Sequence, residues 1–330
     1  MKSVKRDRAK EDVASRSRFA GKLAELRQLR DDGVLSEDLI QVAQAMVLCG
    51  LPYNPTKETR IIRKARLGDG STVTVVFSAG LSAEMPYGSD RTLLYWMVDK
   101  AIKSQSAFVS CETATEFLRD LGMVNSGKNR ADLKMRYRRL SGLTIGVERS
   151  KAGSDETMLM PFIEESRLPS SVDIKSEGRG EQLLPLDKFV FGFKLGDRIF
   201  REVLSHHVPV PLRLLQETKR KSQLQDYMLF LYWRCYAAQS ETVIPWAGIR
   251  EQLWQDDTNT RRVRQRFAEA IAALKVLWPQ MQAEALPAGL WVGPSRKGMQ
   301  FLMEKQGTRR LVVPPTLCKS TSRYTPLQRS

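Results

Sequence analysis

Two short basic clusters contain the residues of this 330-residue chain whose types and spacing could carry chemistry. Residues 128–139 read Lys-Asn-Arg-Ala-Asp-Leu-Lys-Met-Arg-Tyr-Arg-Arg, and residues 261–266 read Arg-Arg-Val-Arg-Gln-Arg. Lys and Arg at this density attract polyanions, and Arg, Asn and Gln can also hydrogen-bond to base edges in the major groove of DNA. The two clusters therefore predict contacts with phosphates and bases.

The positive charge of the chain is concentrated in these clusters and in the two ends. The chain has 53 Lys and Arg against 37 Asp and Glu, a formal net charge of +16. Residues 1–30 and 305–330 are also basic, and the remaining residues are slightly acidic. Basic, Ser-containing ends usually act as mobile arms that keep a protein in solution. Weak binding to nucleic acid is the second interpretation. The functional argument therefore rests on the internal clusters.

The first cluster lies at the start of the third of three predicted helices. Apolar pairs recur every four residues over 90–104, which predicts a helix with Ser89 as its N-cap. Residues 107–110 predict a short strand. The spacing from Thr113 to Glu116 is that of a capping box and predicts a second helix that ends at Gly122. The third helix, which we expect to be capped by Asn129, runs to about residue 141.

The third helix has an apolar face and a basic face. The apolar face carries Leu133, Tyr137 and Leu140. The basic face carries Arg130, Lys134 and Arg138. Two β-like segments, residues 143–149 and 157–163, follow this helix and predict a hairpin.

The same order returns 132 to 136 residues later. The pattern predicts a helix after Ser222, a strand over 242–245, a helix over 247–254 and a third helix that stops at Pro279. Val263 and Phe267 begin the buried stripe of that third helix, and residues 281–292 predict a hairpin. Helix, strand, helix, turn, helix and hairpin is the order of a winged helix, whose third helix can enter the major groove.

We therefore expect an α+β, mostly helical protein with two tandem winged-helix domains. The expected divisions are a basic N-terminal arm and helix (1–55), a first domain (56–207), a second domain (208–304) and a basic C-terminal tail (305–330). The boundary falls in the Pro-containing stretch from His206 to Pro211, interpreted as a linker.

Three further segments have local patterns. Residues 36–50 predict a helix, residues 61–77 predict a hairpin around Gly68-Asp69-Gly70, and residues 168–180 predict a loop. Phe189, Phe191 and Phe193 alternate as in a half-buried strand. Core packing is the favoured interpretation of these rings over base stacking.

The partner predicted from the clusters is double-stranded DNA. Basic residues on a helix are often only solvated, and many winged helices bind proteins instead of DNA, so each cluster alone leaves both interpretations open. Two clusters at the matching position favour nucleic acid. RNA is disfavoured because aromatic-studded strands and Gly-rich clamps are absent from the sequence.

The sequence lacks the motifs of the common catalytic sites. His206 and His207 are the two histidines, the four cysteines form no CxxC pair, and no P-loop or GxSxG motif occurs. We therefore expect no enzyme, no catalytic residue, no cofactor and no metal. Tyr137 could serve a DNA-nicking initiator as nucleophile, an alternative that its apolar register opposes.

The compartment predicted from the sequence is the cytoplasm. No window of 18 uncharged apolar residues occurs, which argues against a membrane partner. The charged N-terminus, Met1 to Arg8, has no apolar stretch behind it and does not resemble a secretory signal.

Several short motifs resemble those of the RepA-type plasmid replication initiators, over roughly residues 85 to 300. They are Pro86-Tyr87-Gly88-Ser89-Asp90-Arg91, Val208 to Leu212, Asp226-Tyr227 through Leu231-Tyr232-Trp233-Arg234, Ile244-Pro245-Trp246, Arg266-Phe267 through Trp278-Pro279, Gly289-Leu290 and Gly293-Pro294-Ser295. The order and spacing of these motifs, more than any single one, carry the resemblance.

The resemblance implies a bacterial protein that binds repeated origin sites, called iterons, and helps to open the duplex. It also implies that the protein recruits the host initiator and the replicative helicase, can form a homodimer and represses its own promoter. The alternative is a winged-helix transcriptional regulator without initiator activity.

The resemblance assigns the main groove contact to the second domain. The matching positions there are Thr258, Asn259, Arg261, Arg262, Arg264, Gln265 and Arg266. In the first domain, Arg130, Lys134 and Arg138 match and would contact the DNA backbone.

Overall fold

The protein is a mixture of helices and small antiparallel sheets. In the computed structural model the described residues are 17–32 with gaps, 39–43, 46–47, 49–66, 71–80, 83–111, 115–151, 154–167, 191–205, 207–253 and 259–295. Within them no helix is long and apolar enough to cross a membrane. The first three strands are β1 (Leu39–Ala43), β2 (Arg60–Arg66) and β3 (Thr72–Ala79).

The first copy of the repeated pattern, here called the first unit, folds in the predicted order of helix, strand, helix and helix. These elements are α1 (Asp90–Ser104), β4 (Phe108–Cys111), α2 (Glu116–Asp120) and α3 (Gly127–Ser141). The unit continues with β5 (Leu143–Lys151), β6 (Ser154–Pro161), β7 (Ile163–Arg167), β8 (Phe191–Leu195) and α4 (Asp197–Ser205).

The second copy, here called the second unit, has the same order. It is preceded by β9 (His207–Pro211) and α5 (Leu212–Thr218). Its elements are α6 (Ser222–Ala237), β10 (Thr242–Pro245), α7 (Trp246–Leu253), α8 (Thr260–Leu277), β11 (Ala283–Ala285) and β12 (Gly289–Val292).

Both units contain a three-stranded antiparallel sheet with the same order. In the first unit the order is β4-β8-β7, and in the second it is β10-β12-β11. In each sheet the strand after the first helix pairs with the last strand of the unit, which lies in the centre. The repeat that the sequence predicts is therefore also a repeat of sheet topology.

The hairpin predicted after α3 forms, but its place in the first unit differs from the expectation. β5 pairs with β6 as predicted and also with β3, which gives a four-stranded sheet in the order β2-β3-β5-β6. The hairpin β2–β3 was itself predicted, and β5 pairs with the outer edge of its strand β3. There Val75 lies opposite Val147, and Phe77 lies opposite Ile145. These four side chains are buried, so burial of this face favours the larger sheet.

Two segments at the junction of the units differ from their predictions. Residues 39–43, expected to be helical, and residues 207–211, expected to be a linker, form the antiparallel pair β1–β9. The inward side chains, among them Val42, Val208 and Val210, are fully buried. Pairing between segments far apart in sequence therefore overrides the helical spacing of residues 36–50, which local sequence cannot reveal.

Two predicted helix starts are also wrong. Helix α3 is capped by Ser126, whose hydroxyl accepts a hydrogen bond from the backbone N–H of Asn129 at 3.3 Å, so Asn129 lies inside the helix. Helix α2 begins at Glu116 with Thr115 at its N-cap position, two residues later than predicted, and the Glu116 carboxylate accepts a hydrogen bond from Lys100. Several predictions concern residues that the structure does not describe. These are Thr113, Phe189, the loop 168–180, the basic end before residue 17 and the basic end after residue 295.

Aromatic side chains centre the packing of both units. In the second unit the Phe267 ring stacks on Tyr227, with ring centroids 4.4 Å apart, and meets Trp246 at 5.6 Å. In the first unit Trp96 packs edge-to-face on Phe117 at 5.7 Å. Phe193 is also fully buried, which confirms the core interpretation of that ring. One continuous cluster of buried apolar residues joins the two units.

The sheet order of the second unit can be tested at Gly289. A Cβ atom there would collide with the backbone carbonyl of Ile244, because β12 lies directly against β10. Gly289→Ala should lower the free energy of unfolding by about 1–3 kcal/mol, measured by chemical denaturation. The control is Gly248→Ala in α7, where a Cβ meets open space. It should be neutral or stabilising by up to about 1 kcal/mol. Equal effects of both substitutions would contradict the pairing of β10 with β12.

Candidate nucleic-acid interface

The start of α8 presents cationic side chains at a well-defined helix end. Asn259 is the N-cap, and its side-chain oxygen accepts a hydrogen bond from the backbone N–H of Arg262 at 3.1 Å. Helix starts normally favour acidic residues because of the helix dipole, yet the first turn of α8 has none. Arg261 and Arg262 are exposed there. The cations are therefore placed where local helix electrostatics do not favour them.

The predicted residues of α8 divide between the surface and the interior. Val263 and Phe267 are buried, which confirms their assignment as packing residues. Gln265 is exposed and binds Glu269 of its own helix, while Arg264 is half-buried. Arg266 is half-buried and donates a hydrogen bond to the side chain of Gln223 in α6. Thr258 lies outside the described residues.

Arg266 therefore has a structural partner that the sequence does not predict. Its bond to Gln223 ties the start of α8 to the start of α6. The two residues are 43 positions apart, and no local pattern connects them. Whatever Arg266 contacts outside the protein, it also holds α8 in place.

In the first unit, the predicted basic face of α3 reaches the surface. Lys134 and Arg138 are exposed, and the half-buried Arg130 donates a hydrogen bond to the Asn125 side chain at 2.7 Å. The predicted apolar face is confirmed. Leu133, Tyr137 and Leu140 are 4%, 1% and 0% exposed. A fully buried Tyr137 cannot reach a phosphodiester in this structure.

Two other arginines of the first cluster turn inward. Arg139 makes a bidentate contact with Asp90, from Nε to Oδ2 at 2.6 Å and from Nη2 to Oδ1 at 2.9 Å. Its guanidinium also lies 4.7 Å from the centre of the Tyr87 ring. Arg136 binds Asp132 one helical turn away at 2.7 Å. Part of the charge that singled out this cluster therefore fixes α3 to the start of α1.

A buried ion pair joins the units beside this contact. Nη1 of Arg91 in α1 lies 2.7 Å from Oδ2 of Asp226 in α6, and their side chains are 1% and 3% exposed. Arg91 also donates to the carbonyl oxygens of Leu51, Pro52 and Ser222. The guanidinium thus binds two separate segments at once, residues 51–52 and the start of α6.

Neighbouring groups extend this junction. Thr92 donates a hydrogen bond to Gln225 across the same interface at 3.1 Å. The motifs Asp90-Arg91 and Asp226-Tyr227, through which the sequence resembles the plasmid initiators, therefore face each other at the interface. Sequence reasoning noted these residues without assigning them a role.

The electrostatics of the pair follow from its burial. Removal from water raises the pKa of Asp226 to about 6, although the charge of Arg91 opposes this rise. Burial lowers the pKa of Arg91, but the attractions of Asp226, Tyr53, Tyr95 and Asp90 together outweigh it, so the net pKa lies above its ordinary value. At neutral pH both groups are charged, and each is the main compensation for the other.

Within the part of the chain that the structure describes, no three His, Cys, Asp or Glu side chains lie close enough to hold a metal ion together. Cys49 and Cys235 are free and buried. Burial raises the pKa of each thiol to about 12, so neither is a ready nucleophile.

Comparison with known proteins gives weak structural likeness only. No protein-family model matches the chain, and no curated protein matches its sequence. A crystal structure of RctB domains 2-3 (RctB-155-483) matches with a TM-score of 0.41 and 10% identity, over 72% of this chain and 83% of that chain. A crystal structure of selenomethionine derivatives of domains 2 and 3 of RctB matches with a TM-score of 0.48 and 11% identity, over 74% and 89%.

The buried pair generates a prediction with a pH dependence. Arg91→Met leaves the Asp226 carboxylate without its cation and should lower the free energy of unfolding by about 3–5 kcal/mol near neutral pH. Without Arg91 the folded-state pKa of Asp226 rises further above its value in the unfolded chain. Stability is then retained at low pH and lost as the pH rises through the folded-state pKa. Chemical denaturation should therefore find a larger deficit at pH 8 than at pH 5.

The matched control is a more exposed ion pair with the same N–O distance. Lys22 and Glu217 also lie 2.7 Å apart, but their side chains are 55% and 25% exposed. Lys22→Met should change the free energy of unfolding by less than about 1 kcal/mol at either pH. A deficit for Arg91→Met that matches this control, or that does not change with pH, would contradict the role of the pair.

Proposed function

We propose that this protein is a non-enzymatic replication initiator that binds repeated sites, or iterons, in double-stranded origin DNA. The observation that carries the proposal is the first turn of α8, where exposed Arg261 and Arg262 follow an asparagine cap and no acid is present. Such a turn offers guanidinium groups to guanine edges and phosphates at the end of a helix. The basic face of α3 adds a second surface of the same kind.

In this proposal both units are winged helices. The repeated order of three helices and a sheet whose last strand is central supports it. The wing of the first unit is then formed by β7 and β8, and the hairpin β5–β6 is an insertion into that unit. In the second unit, β11 and β12 form the wing.

The biological setting is part of the same proposal. The motifs shared with the RepA-type initiators support a plasmid origin as target, host initiator and helicase as partners, and self-association as a homodimer. They also support repression of the protein's own promoter. The proposed protein uses no metal, cofactor or covalent DNA intermediate and acts in the bacterial cytoplasm.

Substitution at the α8 start tests the DNA contact. Arg262→Ala should weaken binding to the iteron by about 1–3 kcal/mol, and to scrambled DNA by less, if the guanidinium reads a guanine. Gel-shift titrations with both duplexes at several salt concentrations would measure this. Arg198→Ala, an exposed arginine in α4 outside both clusters, is the matched control and should bind like the wild type. Unchanged affinity of Arg261→Ala and Arg262→Ala alike would refute the assignment of α8.

The junction of the units predicts a dependence on site spacing. Arg91, Asp226 and the bond between Thr92 and Gln225 fix α1 against α6, so the two DNA-contacting helices have one relative position. Inserting about five base pairs, half a helical turn, between the two contacted segments should abolish the contribution of one unit. Footprints on iterons with insertions of one to ten base pairs would measure it. Equal protection at every spacing would contradict a fixed arrangement.

Replication itself needs a separate test. A plasmid that carries the origin of the same replicon should be maintained by the wild-type protein and lost with the Arg261→Ala/Arg262→Ala variant. Promoter binding without plasmid maintenance by the wild type would refute the initiator proposal and leave a transcriptional regulator.

A further inference from the structure

A cavity lies where the first unit meets the segment that leads into the second. It has a volume of about 290 Å³. Its lining includes Thr92 of α1, Phe117 of α2 and the start of α3. The short connection between α5 and α6 also lines it, with Lys219 and Arg220. Residues from both sides of the junction therefore converge on one space.

The charged side chains around this cavity are mostly cations. They are Lys128, Arg136, Lys219 and Arg220, against the single carboxylate of Asp132. That carboxylate is already bound to Arg136 at 2.7 Å. Lys128 and Arg220 are exposed, and neither forms an ion pair with an acid among the residues that the structure describes. The lining of the cavity thus carries more positive than negative charge.

Lys219 is held in position at the cavity wall. Its ammonium group donates hydrogen bonds to the carbonyl oxygens of Leu121 at 2.7 Å and Gly122 at 3.1 Å. An ammonium has three donors, so one is left for another acceptor. Burial lowers the pKa of Lys219; the charge of Glu217 opposes this, and the charges of Arg220 and Lys22 add to it. An anion in the cavity would offset the repulsion between these cations.

The geometry points to this cavity as a binding site for a phosphate of the DNA backbone, held by Lys128 from the first unit and by Lys219 and Arg220 from the connection. This inference rests on the proposed function. Lys128 lies in the first turn of the same helix, α3, as Arg130 and Lys134, but on a different face of that helix. The cavity would therefore meet a strand that flanks the contacted groove, not the groove itself. Cations beside a helix that enters a groove typically contact the flanking phosphates and so set the orientation of the protein on the duplex.

Size and chemistry favour a phosphodiester over a free nucleotide cofactor. The volume lies just below the range of about 300–1,000 Å³ that is typical of small-molecule pockets. The lining has no aromatic pair for a base, since Phe117 is buried in contact with Trp96. A single phosphate group with part of its sugar matches such a site better than a whole nucleotide does.

The test uses the exposed cations, whose removal should leave folding intact. Arg220→Ala and Lys128→Ala should each reduce the slope of log affinity against log salt by about one, because one phosphate contact is lost. The loss of affinity should be equal for iteron and scrambled duplexes, unlike that of Arg262→Ala. Arg220→Lys should keep the slope, and Arg198→Ala is the control of equal charge change. Thermal unfolding of each variant checks the fold.

The possible outcomes separate this inference from the proposed function. If the wild type binds duplex DNA and neither alanine variant changes the salt slope, the phosphate site is refuted and the proposed function stands. If the wild type binds no duplex DNA, the proposed function fails. Calorimetry would also measure the binding of inorganic phosphate alone to the wild type and to Arg220→Ala. Binding of phosphate that Arg220→Ala abolishes, combined with unchanged duplex affinity, would identify a small-anion site and overturn the assignment to the DNA backbone.

Discussion

The arrangement of the two units depends on two neighbouring residues of opposite charge, Asp90 and Arg91. Asp90 binds Arg139 at the end of α3, and Arg91 binds Asp226 in α6. Both contacts are buried, so each charge was removed from water and is stable there only with its partner. The α1 start therefore connects a candidate DNA-contacting helix of one unit to the core of the other. A movement of either helix would leave a buried charge uncompensated.

The same junction explains why the repeat is not a simple chain of two separate modules. The bond between Arg266 and Gln223 attaches α8 to the start of α6, close to the residue that Arg91 binds. Both basic helices are thus anchored near the facing starts of α1 and α6. Hydrogen bonds between buried polar groups impose definite directions, whereas apolar packing alone tolerates sliding. Polar residues at this interface accordingly define the relative orientation of α1 and α6.

Local sequence was sufficient for much of the fold and for part of the candidate site. The helical period identified Leu133, Tyr137, Val263 and Phe267 as buried, and the strand over 242–245 was located to the residue. It could not identify which cations face inward, because Asp90 lies 49 positions from Arg139. Nor could it identify strand partners far apart in the chain. The pairing of β1 with β9 and the pairing of β5 with β3 both depend on edges that only the folded protein brings together.

The pair β1–β9 also has a consequence for synthesis. Residues 39–43 leave the ribosome long before residues 207–211. Until residues 207–211 are synthesised, β1 has no partner strand. The backbone N–H of Gln41 donates a hydrogen bond to the carboxylate of Asp99, a contact between β1 and α1 that does not involve β9. A chain that ends before residue 207 therefore lacks the partner of β1 and leaves that strand edge unpaired, which is a template for pairing with other chains.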